Sequence, residues 1–88
     1  MLRAEAVVAN RLGLHARPSA RLTAAASKFK CEVWLSKGSR RINAKSIMGV
    51  MMLAAAKGST LLIETDGPDE AEALEAMKEL IGSGFGEN

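Results

Sequence analysis

The chain of 88 residues contains one histidine, His15, within the segment Leu12–Pro18 (LGLHARP). Imidazole is the side chain that most readily changes charge near neutral pH, so His15 is the obvious candidate for proton or group transfer. Arg17 lies two residues further on and offers a fixed positive charge with paired donors that suit a phosphoryl group. A neutral imidazole beside that cation could attack phosphorus. The alternative is a histidine that only caps a helix or fills the core, and these residues alone leave both interpretations open.

The elements around this segment predict how His15 is presented. The residues of Ala4–Ala9 alternate weakly and predict a strand, and the alanines and leucines of Ala16–Ser27 favour a helix. Pro18 falls in the first turn of that helix, where its missing N–H costs nothing. His15 is therefore expected at or just before a helix N-terminus, where free backbone N–H groups and the helix dipole attract anions.

The rest of the pattern predicts an α+β fold. Further strands are expected over Cys31–Ser36, Arg40–Asn43 and Thr60–Thr65, further helices over Ile47–Ala56 and Glu70–Ile81, and a frayed tail over Gly82–Asn88. The order β-α-β-β-α-β-α fits a four-stranded antiparallel sheet with three helices on one face. We expect a single domain over residues 1–88.

One face of this sheet would be open to water, and strand alternation assigns residues to it. Val33 and Leu35 should point at the helices, which places Trp34 on the open face. We therefore expect Trp34 to be partly exposed, within an apolar patch that includes Leu62 and Val7. Such residues could form a contact surface or could simply cover one another across the strands.

A second segment of interest, Lys45–Gly49, begins a helix. Ser46 is most simply an N-cap, although a phosphate would also be tolerated there. The methionine-rich residues that follow could adapt to several partners or could belong to the core. We expect Ile47, Met48 and Met51 to be largely exposed; the residues expected to be buried are Val50 and Leu53.

Composition excludes several classes of function. The net charge is +2, with ten of the twelve basic residues before Ser46 and eight of the ten acidic residues from Ser46 onward, so an anionic ligand or acidic partner near His15 is favoured. The small number of aromatic residues, three, and the dispersed cations argue against a nucleic-acid-binding function.

One cysteine, Cys31, cannot form an internal disulfide, and no segment would insert in a membrane, so a cytoplasmic location is expected. No metal site and no cofactor are predicted.

Two motifs carry a family resemblance. Gly13–Pro18 resembles the active-site signature, and Asn43–Val50 the regulatory serine signature, of HPr, the histidine-containing phosphocarrier family of the bacterial phosphoenolpyruvate-dependent sugar phosphotransferase system. The resemblance spans about Arg3 to Phe85 and implies an open-faced β-sandwich. It implies that His15 accepts a phosphoryl group on Nδ1 from phosphorylated enzyme I and passes it to a histidine of an enzyme IIA domain.

The resemblance also implies roles for the neighbouring residues. Arg17 would stabilise the phosphoryl group, and Ser46 would be phosphorylated by an HPr kinase/phosphorylase where that enzyme exists. The partner-binding surface would include Ile47, Met48 and Met51. The expected protein is a monomeric phosphocarrier rather than a stand-alone enzyme. Its Ser-Gly-Phe tail resembles the nitrogen-related paralogue NPr, so a nitrogen-related or purely regulatory phosphorelay module is the alternative.

Overall fold

A computed structural model describes residues 1–87 of the chain. One antiparallel sheet with the strand order β1-β4-β2-β3 is formed by β1 (Leu2–Val7), β2 (Glu32–Lys37), β3 (Arg40–Asn43) and β4 (Thr60–Asp66). The helices are α1 (Ala16–Ser27), α2 (Ile47–Met52) and α3 (Glu70–Gly82), followed by a 3₁₀ turn at Gly84–Gly86. The predicted α+β fold, an open-faced β-sandwich, is confirmed.

The core lies between the sheet and the helices. Val33 and Leu35 of β2 are fully buried, as the strand alternation predicted, and Leu61 and Ile63 of β4 are buried beside them. The helices contribute the apolar stripe Leu22, Ala26, Val50, Ala73, Met77 and Ile81. Burying one large aliphatic side chain contributes about 1.5–3 kcal/mol, so this one-sided core is the main source of stability.

The structure differs from the sequence prediction at the C-terminus of α2. The helix ends at Met52 instead of continuing to Ala56. Ala54 has a φ of +50°, a left-handed conformation that stops helical hydrogen bonding. Two basic side chains from the β2–β3 hairpin bind the freed carbonyls, because Arg40 donates to Met52 O and Lys37 donates to Ala54 O.

The prediction of a frayed tail is wrong for the residues that the structure describes. Phe85 is fully buried in the core and has a φ of +59° within the 3₁₀ turn. Its carbonyl accepts a hydrogen bond from the Arg21 guanidinium of α1. Gly84 packs directly on Asn10, so the turn is fixed against the segment that leads to His15. One aromatic side chain thus orders a glycine-rich end of the chain.

The open face of the sheet carries an ionic cluster instead of the expected apolar patch. Trp34 is partly exposed, as predicted, but the Arg41 guanidinium lies 4.3 Å from its ring centroid. Glu64 lies opposite Trp34 in the register, is only 7% exposed, and accepts hydrogen bonds of 3.0 Å from both Arg41 and Arg3. Leu62 and Val7 lie on the open face, as predicted, with Leu62 partly exposed and Val7 exposed, but both are towards the other end of β4.

Candidate functional site

His15 is the N-cap residue of α1, and its imidazole is free of the capping role. Its carbonyl oxygen accepts a 3.0 Å hydrogen bond from Ser19 N, whereas its side chain makes no capping hydrogen bond. The side chain is 39% exposed. The helix-cap interpretation therefore applies to the backbone of His15 only, and the ring is accessible to a reaction partner.

The first turn of α1 offers backbone donors next to this histidine. The opening N–H groups of a helix have no acceptor within the helix. In α1 these belong to Ala16 and Arg17, because Pro18 has no N–H and Ser19 already bonds to His15. Two N–H groups and the positive end of a 12-residue helix therefore directly follow His15 in the chain.

Arg17 adds a full positive charge to this helix end. Its side chain is exposed and makes neither a hydrogen bond nor an ion pair with any other residue between 1 and 87. A guanidinium with no intramolecular partner can turn all its donors toward an incoming phosphoryl group without first breaking a bond.

The loop before His15 is fixed by the segment that follows α2. Gly13 has a φ of +68°, and a β-carbon there would lie 2.4 Å from Ala55 O. Leu14 N donates to that same carbonyl at 2.9 Å, and His15 N donates to Gly13 O at 3.0 Å. The glycine of the motif is therefore required both for its backbone conformation and for its close approach to Ala55.

Two residues that the sequence did not single out also reach the site. Asn10 is 1% exposed, and its Nδ2 donates to Gly13 O at 2.6 Å and to Glu87 Oε1 at 3.4 Å. The same Glu87 oxygen lies 3.4 Å from His15 Nε2. The sequence feature that could have indicated Glu87 is Phe85. An aromatic residue in a glycine-rich tail favours a buried position, which brings the neighbouring residues onto the body of the protein.

Ser46 occupies the N-cap position of α2, as the sequence predicted. Its Oγ accepts a 3.2 Å hydrogen bond from Gly49 N, and the residue is exposed. The hydroxyl is therefore a helix cap that remains accessible to a modifying enzyme.

The apolar side chains after Ser46 divide between core and surface. Val50 and Leu53 are buried, and Ile47, Met48 and Met51 are exposed, as expected. Two further large side chains, Met52 and Leu12, are also exposed. Leu12 could have been suspected because it lies in the turn before His15, and Met52 because it lies one helical turn after Met48. We call these five side chains the apolar surface: Leu12, Ile47, Met48, Met51 and Met52.

The residues that the structure describes contain neither a metal-binding cluster nor a membrane-spanning helix. Residues 1–87 contain no group of three His, Cys, Asp or Glu side chains placed to hold a metal ion. Within the same residues, no helix is both long and apolar enough to cross a membrane.

Comparison with known proteins decides the family. The family model described as the PTS HPr component phosphorylation site matches residues 2–83. The chain is 56% identical to the phosphocarrier protein HPr of Neisseria meningitidis serogroup A over 87 residues, which cover 99% of this chain and 98% of that protein. The chain belongs to the HPr family. Its HPr fold overlays a crystal structure of HPr from Thermoanaerobacter tengcongensis with a TM-score of 0.95, at 42% identity, covering 100% and 99% of the two chains.

A second HPr structure from that organism, described as a dimer, matches with a TM-score of 0.79 at 45% identity, covering 91% and 92% of the two chains. The HPr family is one of phosphocarriers of the phosphotransferase system, which makes phosphoryl transfer the general function of this chain. The position of His15 and Arg17 at one helix end suits that function.

Proposed function

We propose that this HPr-family chain is a cytoplasmic phosphocarrier that accepts a phosphoryl group on His15 from phosphorylated enzyme I. It then passes the group to enzyme IIA components of the sugar phosphotransferase system. The observation that carries this proposal is the placement of one accessible imidazole at the start of α1, close in the chain to an exposed Arg17 side chain that makes no hydrogen bond or ion pair within residues 1–87. The family membership supports the same chemistry.

The transfer step needs no proton to move. The Nδ1 lone pair of neutral His15 attacks the phosphorus, a P–N bond forms, and the bond between phosphorus and the donor breaks with its electron pair returning to the donor. The phosphoryl oxygens then face Arg17 and the Ala16 and Arg17 N–H groups, which stabilise their charge. Passing the group on is the reverse step, with the acceptor histidine as the new nucleophile.

The apolar surface suits transient docking of successive partners. Its methionines are flexible and polarisable, so one surface can pack against the different shapes of enzyme I and an enzyme IIA domain. The basic residues of the first half of the chain favour acidic rims on those partners and speed their encounter. Ile47, Met48 and Met51 are the proposed contact residues within it.

Ser46 is the proposed site of regulation by an HPr kinase/phosphorylase. A phosphate on Oγ would add about 1.5–2 negative charges next to Ile47 and Met48, and would repel an acidic partner. Ser46→Asp should therefore slow phosphoryl transfer from enzyme I, with a smaller effect at high salt. Ser46→Ala is the control, since it removes the cap without adding charge and should lower stability by about 1 kcal/mol with little effect on transfer. Equal transfer rates for both variants at every salt concentration would contradict an electrostatic mechanism.

The decisive experiment is incubation with phosphoenolpyruvate and enzyme I, followed by a test of acid lability. The wild type should gain an acid-labile label, because phosphohistidine hydrolyses in acid and phosphoserine does not. His15→Ala should gain none, and Ser46→Ala should be labelled like the wild type. A label that persists on His15→Ala would overturn the assignment. Sedimentation of the labelled protein should show the proposed monomer.

A second candidate function is a nitrogen-related or purely regulatory phosphorelay. The ordered Ser83–Phe85 tail beside the site favours it, since this segment resembles the nitrogen-related paralogue. The two functions share His15 and Arg17, so they differ only in partners. Phosphorylation rates measured side by side with enzyme I of the sugar branch and of the nitrogen branch distinguish them, and the faster donor identifies the branch.

A further inference from the structure

The C-terminal residues of the described chain form a polar connection to the reacting histidine. Glu87 Oε1 lies 3.4 Å from His15 Nε2 and 3.4 Å from the amide nitrogen of Asn10. Asn10 is 1% exposed and its Nδ2 also donates to Gly13 O at 2.6 Å. One carboxylate oxygen is therefore placed between a buried amide and the ring nitrogen that does not react with phosphorus.

The position of Glu87 is imposed by the fold of the tail. Phe85 is fully buried, Arg21 binds its carbonyl, and Glu87 N donates to Gly84 O at 2.9 Å. Gly84 lies against Asn10, where a β-carbon would meet the Asn10 backbone at 3.3 Å. These contacts leave the Glu87 side chain 22% exposed and directed at His15.

A carboxylate can only accept a hydrogen bond, so it selects the protonation pattern of its neighbour. An acceptor at Nε2 requires the proton on Nε2, and this leaves the lone pair on Nδ1. When Nδ1 forms the P–N bond, the Nε2 proton stays on the ring and the ring becomes a cation. Catalytic hydrogen bonds are often long before the reaction and shorten as charge develops, as the contact with Glu87 would.

We propose that Glu87 is a positioning residue for phosphoryl transfer, held by Asn10, which keeps the His15 proton on Nε2 and stabilises the ring cation formed on phosphorylation. This inference rests on the proposed function. It gives the C-terminal tail a role in the reaction that no residue of the LGLHARP segment fulfils. Glu87 lies 72 residues from His15 in the chain.

The test is ¹⁵N NMR of the His15 ring, at about pH 8, where imidazole is ordinarily neutral. In the wild type, the two ring nitrogens should show the well-separated shifts of a single Nε2–H tautomer. In Glu87→Ala, the shifts should move toward each other as the two tautomers exchange. Glu87→Gln should keep the wild-type pattern, since its amide oxygen still accepts from Nε2–H. Glu79→Ala removes the same charge from an exposed position of α3 and should also keep it.

Kinetics supply the second measurement. Losing one hydrogen bond of about 0.5–1.5 kcal/mol should lower kcat for phosphorylation of Glu87→Ala by enzyme I about two- to tenfold, with an unchanged KM for docking. Identical ring shifts in Glu87→Ala and wild type would overturn the inference, whatever the rates. Failure of the wild type to accept a phosphoryl group would instead overturn the proposed function and leave the tautomer result standing. Unfolding free energies of the variants confirm that the fold is intact.

Discussion

Gly13 is in such close contact with Ala55 that a β-carbon on Gly13 would lie 2.4 Å from the Ala55 carbonyl oxygen. That oxygen also accepts the hydrogen bond from Leu14 N. The carbonyl therefore fixes the loop that ends at His15, and the backbone after α2 determines where the imidazole is held.

Gly13→Ala should displace this loop. A left-handed φ costs a residue with a β-carbon about 1–2 kcal/mol, and the clash with Ala55 adds to that cost. We expect a stability loss of about 2–4 kcal/mol and slower phosphorylation of His15. Denaturant unfolding and the labelling assay measure the two effects.

Gly38→Ala is the matched control for Gly13→Ala. Gly38 also has a positive φ, +60°, but a β-carbon there would have no neighbour within 4 Å. The Gly38→Ala variant should lose only about 1 kcal/mol of stability, and its His15 should be phosphorylated at the normal rate. Equal losses for the two variants would show that the contact with Ala55 has no effect of its own.

Ala54→Gly should stabilise the protein. Ala54 adopts a φ of +50° at the end of α2, a conformation that glycine adopts without strain. The expected gain is about 0.5–1 kcal/mol in the free energy of unfolding, after the larger unfolded-state entropy of glycine is subtracted. Ala56→Gly, at an exposed position without a positive φ, should instead be slightly destabilising. A loss of stability for Ala54→Gly would contradict this account of the helix end.

Glu64 should make the stability depend on pH in the acid range. Burial alone would raise the pKa of Glu64, but the hydrogen bonds from Arg3 and Arg41 outweigh it and lower that pKa below its ordinary value. The stabilisation is therefore present above the unfolded-state pKa of about 4.3 and is lost as the pH falls through the lower folded-state pKa. Glu64→Gln should lose about 1–3 kcal/mol at neutral pH, and its deficit should shrink in acid.

Trp34 is the only tryptophan and lies against Arg41, so its fluorescence reports acid unfolding and any disruption of the ionic cluster around Glu64. Glu75→Gln is the control, because its exposed pair with Lys78 contributes little at any pH. If the free energy of unfolding of Glu64→Gln equalled that of the wild type at neutral pH, the ionic cluster would have no net effect on stability.

Cys31 should be inert in the folded protein. Burial, followed by the hydrogen bond and negative charge of Asp69, raises the pKa of the thiol from its ordinary 9.0 to about 11. A thiol reagent at about pH 8 should therefore modify it only as fast as the protein opens, and denaturant should restore full reactivity. Rapid modification of the folded protein at that pH would contradict the burial of this side chain.

The same shift predicts a loss of stability in alkali. A raised folded-state pKa gives stability that is complete below the unfolded-state value and lost as the pH rises toward about 11. The free energy of unfolding of Cys31→Ala should depend less on pH than that of the wild type between about pH 9 and 11, because the variant lacks the thiol. Lysine titration affects both proteins equally and does not contribute to the difference. Unfolding free energies across that range measure the difference.

The parts of the fold that the sequence predicts well are those set by local signals. The bounds of α1 agree, because Pro18 allows only a first-turn position and alanines follow it. The strand Arg40–Asn43 also agrees, since a glycine turn precedes it and a helix cap follows. His15, Arg17 and Ser46 could be singled out for the same reason, because each lies within a short motif at a helix start.

The parts that the sequence misses depend on contacts between distant residues. The early end of α2 involves basic side chains from the β2–β3 hairpin, and the cluster around Glu64 requires the register of all four strands. The hydrogen bond from Asn10 to Glu87 joins residues 77 positions apart. No local periodicity encodes such a contact, so the sequence alone predicts a frayed end for Phe85 and Glu87.

The central place of β4 in the sheet also dictates when the molecule can form during synthesis. Strand β1 is made first, yet within residues 1–87 it pairs with β4 alone, and β2 also pairs with β4 along one of its edges. Until residues 60–66 have left the ribosome, β1 has no strand to pair with, and the β2–β3 hairpin is the one part of the sheet that can form beside α1. The complete sheet can therefore form only after β4 is made, as expected for a topology dominated by distant pairings.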